Sequence, residues 1–193
     1  MSGCRTLRNR PRTSRVRSTG SPLAMKSALH IHFSLEDPRW GAPGPTARLA
    51  RRAARAALRR QARGLKAAEL SLVLAGDARV RALNKAWRRI DKPTNVLAFP
   101  AEDAVAAGPG APPRQLGDVI LAYETVAAEA RAQGKTLGVH LSHLIVHGEL
   151  HLLGFDHATR AEAADMEGAE IAILAGLGIG DPYRPAPALA RVA

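Results

Sequence analysis

A chain of 193 residues suits one domain with short appendages, and a hydrophobic content of 46% is enough to bury a core. Aromatics make up only 4%, so Leu, Ile, Val and Ala must fill that core; the lone cysteine, Cys4, excludes an internal disulfide and fits a reducing, cytoplasmic setting. The net charge of +11 is concentrated: residues 1–24 carry six arginines and no acid, residues 48–66 carry seven arginines and Lys66 and no acid, and the remainder is net acidic. Local positive charge favours a polyanionic partner, and no apolar run approaches the ~18 residues of a membrane span.

Residues 1–24 hold Arg, Ser, Thr, Pro and Gly with few apolar side chains. Such a segment cannot bury enough surface to offset its ordering entropy, which predicts disorder. Its composition fits an RNA-touching tail, an organelle transit peptide, or translation from a start ahead of the true one at Met25. The last is favoured because ordered patterning begins directly after Met25, and a transit peptide would show a clearer apolar helical face.

From Ala28 to Phe33 apolar residues alternate with His30 and His32, which predicts a strand with one polar face. Residues 45–63 read as a helix. Leu49, Ala50, Ala53, Ala56 and Ala57 cluster on one side, and every basic residue of 48–66 except Arg60 falls on the opposite arc. That arc is either a solvated face or a stripe, including Arg51, Arg55 and Arg59, that faces nucleic acid. Glu69–Leu74 reads as a strand, Asp77 as the cap of a helix running to about Arg89, and Asn95–Pro100 as a short strand ended by proline. The Gly/Pro/Ala segment 101–115 is predicted to be a mobile loop. A strand follows over Leu116–Tyr123, then helices over about 124–133, 138–153 and 160–176, then a Pro/Ala-rich tail from Arg184. Strands interspersed with helices, followed by a helical C-terminal half, predict an α+β single domain over 25–183 around a small mixed sheet.

Five of the seven histidines lie between His140 and His157, and the densest segment is HGELHLLGFDH, residues 147–157. His147 and His151 are four apart on the predicted helix, so they lie one turn apart on the same face, about 6 Å along the axis. Both rings can then converge on one ion at ~2.1 Å. Gly154 stands where a helix needs a left-handed residue to stop, which lets the chain reverse and return His157 to the same ion. Three imidazoles without a fourth ligand nearby in sequence is the pattern of a catalytic zinc site, with one Zn(2+) per chain and a fourth position open to water. His143, four residues before His147, could line the metal cleft or serve a partly buried structural role. Asp156 could orient a histidine from behind or cap the turn.

The spacing H-x-x-x-H-x-x-G-x-x-H is shared with metzincin proteases, in which a glutamate beside the first histidine is the general base. Here that position is Gly148. Glu149 lies about 100° further round the helix and cannot act in the same geometry. The metal cage is present and the peptidase base is absent, which argues against peptide hydrolysis.

The segment His147–His157 resembles the HGxLHLxGxDH motif of the YbeY family of bacterial endoribonucleases and ribosomal RNA maturation factors. LNKAWRRIDKPTNVLAFP (Leu83–Pro100) is similar to the family's stretch around a functional arginine. LGDVIL (Leu116–Leu121) is similar to its central strand, and MEGAEIAILAGLGIGDPY (Met166–Tyr183) to its C-terminal helix and ending. The resemblance spans about Met25 to Tyr183; the basic extension and the expanded 101–115 loop depart from it. It implies zinc on His147, His151 and His157 and a functional Arg88, which can hold a phosphate by two parallel hydrogen bonds. Asp91 and Asn95 are expected to build the turn around Pro93. The implied activity is single-strand-specific, metal-dependent endoribonuclease action in rRNA maturation, at the small-subunit rRNA 3' end, and in ribosome quality control. The implied partners are ribosomal RNA and the small ribosomal subunit. The alternative is a non-catalytic ribosome assembly factor whose metal is structural.

Overall fold

Four strands form one mixed sheet in the order β1-β2-β4-β3, with β1 (Ala28–Leu35), β2 (Ala67–Ala75), β3 (Val96–Pro100) and β4 (Arg114–Ala122). The computed structural model describes residues 28–61, 67–101 and 113–184. The expectations for segment 1–24, most of the loop 101–115 and the tail beyond residue 184 lie outside the described residues. β1 and β2 pair in parallel, as do β2 and β4, while β3 runs antiparallel to β4 at one edge. The parallel pairs require crossovers, and α1 (Pro43–Gln61) and α2 (Asp77–Arg88) lie within those connections. α3 (Tyr123–Ala132), α4 (Leu137–Leu152) and α5 (Arg160–Ala175) complete the α+β fold.

The alternation of β2 decides which face is covered. Leu70, Leu72 and Leu74 are almost wholly buried, and they join Val119 and Leu121 of β4 under α1, α4 and α5. The other face is thinner: Val80 and Leu83 of α2 pack on Ala75, Leu97, Ile120 and Ala122. α1 buries Ala47, Ala50, Ala53, Ala54, Ala57 and Leu58. Its small side chains allow a close approach to α4. The basic residues stay outside this contact, and Arg60, expected off the basic arc, is exposed as well because it sits in the final turn.

One expected cap is replaced. The residue before α2 is Gly76, and Asp77 is already helical. Its carboxylate accepts instead from the Thr125 amide (3.1 Å) and hydroxyl (2.9 Å), while the Asp77 amide donates to Glu124 (2.8 Å). The two helix starts therefore lock each other, a use of Asp77 that depends on residues 48 positions away. Among the described residues no helix is long and apolar enough to cross a membrane.

Candidate metal centre

α4 carries the site and is held at both ends. Thr136 caps its start by accepting from the Val139 amide. At its other end Gly154 adopts a left-handed φ of 92°, the Gly154 amide donates to His151 O and the Phe155 amide donates to Leu150 O. This paired closure satisfies the last carbonyls and turns the chain back, as the position of Gly154 predicted. Asp156 then accepts from the His157 amide at 2.8 Å. α5 begins behind the turn with a capping box between Thr159 and Glu162.

The three expected ligands converge. Ring centroids of His147, His151 and His157 lie 4.8, 5.0 and 5.6 Å apart, and one nitrogen from each ring falls within 4.8 Å of the others. The polarity of the first two rings is fixed from behind. His147 Nδ1 lies 2.7 Å from the Glu170 carboxylate and His151 Nδ1 lies 3.0 Å from Phe155 O. Both partners are acceptors, so each Nδ1 carries the ring proton. The two Nε2 lone pairs are thereby left facing one another at 3.2 Å. Two lone pairs at that distance repel unless a cation lies between them, and nitrogens ~2.1 Å from a tetrahedral ion sit roughly 3.4 Å apart. The donor set therefore fits a divalent metal. Burial, and then the neighbouring His147 and His157, push the His151 pKa down, which favours the neutral, ligating form.

Glu170 is the residue that sequence reasoning missed. It comes from α5, is fully buried, and accepts from His143 Nε2 (2.9 Å), His147 Nδ1 and the Tyr183 hydroxyl. Burial by itself would raise its carboxyl, but the hydrogen bonds from His143, His147 and Tyr183 outweigh it and hold the pKa down at about 2. Burial, and then Glu170, push the Tyr183 phenol up, so it stays a donor. The spacing of Glu170 on α5 carries no local signal; only the docking of α5 beside α4 brings it to His143 and His147.

For His143 and Asp156 the structure shows the second of the two roles that the sequence left open. His143 does not line the metal cleft; it meets the site through Glu170 from the far side of His147. Among the described residues Asp156 makes no hydrogen bond to an imidazole; its Oδ1 accepts from the His157 amide, which shapes the turn. Arg88, at the end of α2, does line the cleft, a space of about 620 Å³ that also includes Thr94, Asn95, His147, His151 and His157. Asn95 braces the cleft wall, donating to Glu129 and accepting from the Val96 amide. Asp91 is paired with Arg81 and Lys85, whose hydrogen bonds hold its pKa at about 2. Arg51, Arg55 and Arg59 lie on α1, away from the cleft lining. The Arg51 guanidinium rests 5.7 Å over the Phe33 ring, and Arg59 donates to Arg55 O.

The peptidase-base position is closed. A Cβ on Gly148 would come within 2.8 Å of Val119 and 3.3 Å of Val96, so this point of α4 presses against the sheet. Glu149 points into the core, 1% exposed, with neither carboxylate oxygen hydrogen-bonded among the described residues.

A family model described as "Endoribonuclease YbeY" matches residues 44–178, which takes in the whole cleft and α5. The chain belongs to the YbeY family. A YbeY endoribonuclease of Azorhizobium caulinodans is 52% identical over 156 residues, covering 80% of this chain and 96% of that protein. One from Paramagnetospirillum magneticum is 62% identical over 118 residues, 60% of this chain and 71% of the relative. A third, from Chelativorans, is 46% identical over 160 residues, 83% and 96% of the two chains. The resemblance read from the histidine motif thus extends through the YbeY domain.

Proposed function

We propose that this protein is a zinc-dependent endoribonuclease that cuts single-stranded RNA during ribosomal RNA maturation, at the 3' end of the small-subunit rRNA, and in ribosome quality control. The observation that carries this reading is the pair of imidazole lone pairs held 3.2 Å apart in a cleft that also contains Arg88. A divalent ion held by His147, His151 and His157 would supply Lewis acidity toward a phosphoryl oxygen and a nucleophile at neutral pH. Three protein ligands leave the coordination open, as catalysis requires. Arg88 would bind the phosphate and offset charge that develops on it, and Glu170 would keep His147 in the ligating tautomer. The names of the relatives support the endoribonuclease reading, and the basic arc of α1 supports a polyanionic substrate. The ribosomal RNA, the small subunit and a cytoplasmic location are part of the same proposal.

Among the described residues Asp156 is the cleft's one carboxylate, and its Oδ1 accepts from the His157 amide of its own turn. That observation favours a second reading, a ribosome assembly factor whose metal is structural. Single-turnover cleavage of a defined single-stranded RNA decides between the two, with elemental analysis of the same preparations. The expected result is about one zinc per chain, metal-dependent cleavage, and loss of both in His151→Ala. Stoichiometric metal without cleavage would select the assembly factor. Metal below a tenth of an equivalent would remove the zinc centre.

A further inference from the structure

Trp87 is the most exposed large hydrophobic side chain among the described residues, at 72% of its surface, in a chain with only seven aromatics. It belongs to the last turn of α2, directly before Arg88, and its ring stands 6.1 Å from that of Phe99 at 59°. β3 separates the two neighbours. Ala98 and Pro100 line the metal cleft with Arg88, while Phe99 faces the α2 side. Trp87 therefore lies just around the edge strand from the cleft.

The segment that presents it is tightly fixed. Arg89 ends α2 in the left-handed conformation, φ 59°, the one non-glycine positive φ among the described residues. The buried Asn84 donates its side-chain amide to Lys92 O at 2.8 Å, and its backbone carbonyl accepts from the Ile90 amide. The one acid in the turn, Asp91, is neutralised by Arg81 and Lys85. Trp87, Arg88, Arg89 and Lys92 are all exposed within six consecutive residues, and the one acid among them, Asp91, is paired.

We propose that Trp87 is a base-stacking subsite for single-stranded RNA, holding an unpaired nucleobase close to the nucleotide whose phosphate meets Arg88. This rests on the ribonuclease reading and adds to it a base-binding subsite outside the metal cleft. An exposed aromatic in a cationic segment binds a base face and a phosphate together, and it does so without regard to sequence. In a duplex both faces of each base are already stacked, so the subsite selects against paired RNA. A protein partner would use the apolar area of Trp87 but not its planarity, and that difference sets the test.

Binding of a labelled 2'-O-methyl single-stranded oligonucleotide to the metal-loaded full chain is measured by anisotropy for wild type, Trp87→Phe, Trp87→Leu and Trp87→Ala. Because the side chain is exposed, all four should melt alike. Trp87→Ala and Trp87→Leu should weaken binding roughly 5- to 150-fold, with Trp87→Phe close to wild type. A probe with one abasic residue, placed in turn at each position, should weaken wild type at one position and leave Trp87→Ala unaffected there. Equal affinity of Trp87→Ala and wild type, or the same abasic penalty in both, would overturn the subsite. If wild type cleaves RNA in that case, the ribonuclease reading survives alone; if wild type binds no RNA, both fall.

Discussion

Arg88 and Glu149 show how differently two ionisable side chains can stand around one candidate metal centre. Arg88 is exposed, ends a helix and touches none of the three imidazoles, so its proposed action is on the substrate. Arg88→Ala should keep its fold and its metal and cleave about 100-fold more slowly, the usual loss for one charge-assisted contact made mainly in the transition state. Arg88→Lys should recover only part of the rate, because an ammonium lacks the planar two-pronged donor. Metal content and single-turnover rate on the same samples check this, and an unchanged rate would reduce Arg88 to a surface residue. Glu149 is the opposite case. Burial raises its pKa well above the ordinary 4.5, so the folded protein keeps it neutral. Glu149→Met removes an unpartnered buried polar group and should raise stability by about 1–3 kcal/mol at neutral pH. The sign of its pH dependence follows from proton uptake. Above about 4.5 the unfolded chain releases a proton that the folded chain retains, so wild-type stability falls relative to the variant as pH rises. Melting both proteins from pH 4 to pH 8 tests this; a constant difference in melting temperature would mean that Glu149 is ionised in the fold.

The candidate metal centre is built by two elements, and only one of them carries its histidines on a recognisable spacing. α4 sets His147 and His151 one turn apart, and its glycine-terminated end returns His157. α5 contributes no ligand but supplies Glu170, whose carboxylate fixes the direction of His147 and ties it to His143 and Tyr183. A carboxylate behind a ligating imidazole holds its tautomer and raises its basicity. Glu170→Gln should therefore weaken metal binding about 10- to 100-fold, measured by competition with a chromophoric chelator. Unchanged affinity would mean that Glu170 serves only to join α4 and α5. α1 poses a separate question, since its basic arc lies outside the cleft lining. Replacing Arg51, Arg55 and Arg59 together with Gln should weaken RNA binding similarly across sequences and flatten its dependence on salt. An unchanged salt slope would show that this face of α1 is merely solvated.

Over the whole molecule, the pattern of local signals was readable because each depends on neighbours within a turn or two. Alternation gave β1 and β2, helical periodicity gave the alanine face of α1, and Gly154 marked the end of α4; each boundary falls within a few residues of its expectation. The three-histidine cage was legible for the same reason, since its geometry follows from one helix and one turn. Gly148 stands where a peptidase carries its base. That the position has no room for any side chain became visible only when α4 was seen pressed on Val119 and Val96. Asp77, read as a cap, was claimed by Thr125, and Glu170, unmarked in the sequence, became the fully buried acceptor behind the centre. His143 was turned toward Glu170, and Asp156 toward the amide beside it. The convergence of His147, His151 and His157 was already written in the chain, because i to i+4 spacing and a left-handed stop are local properties of the backbone. Which acid stands behind them came from the packing of α5 on α4, because a buried carboxylate takes its donors from whichever helix packs against it, and packing partners are not encoded by spacing along the chain.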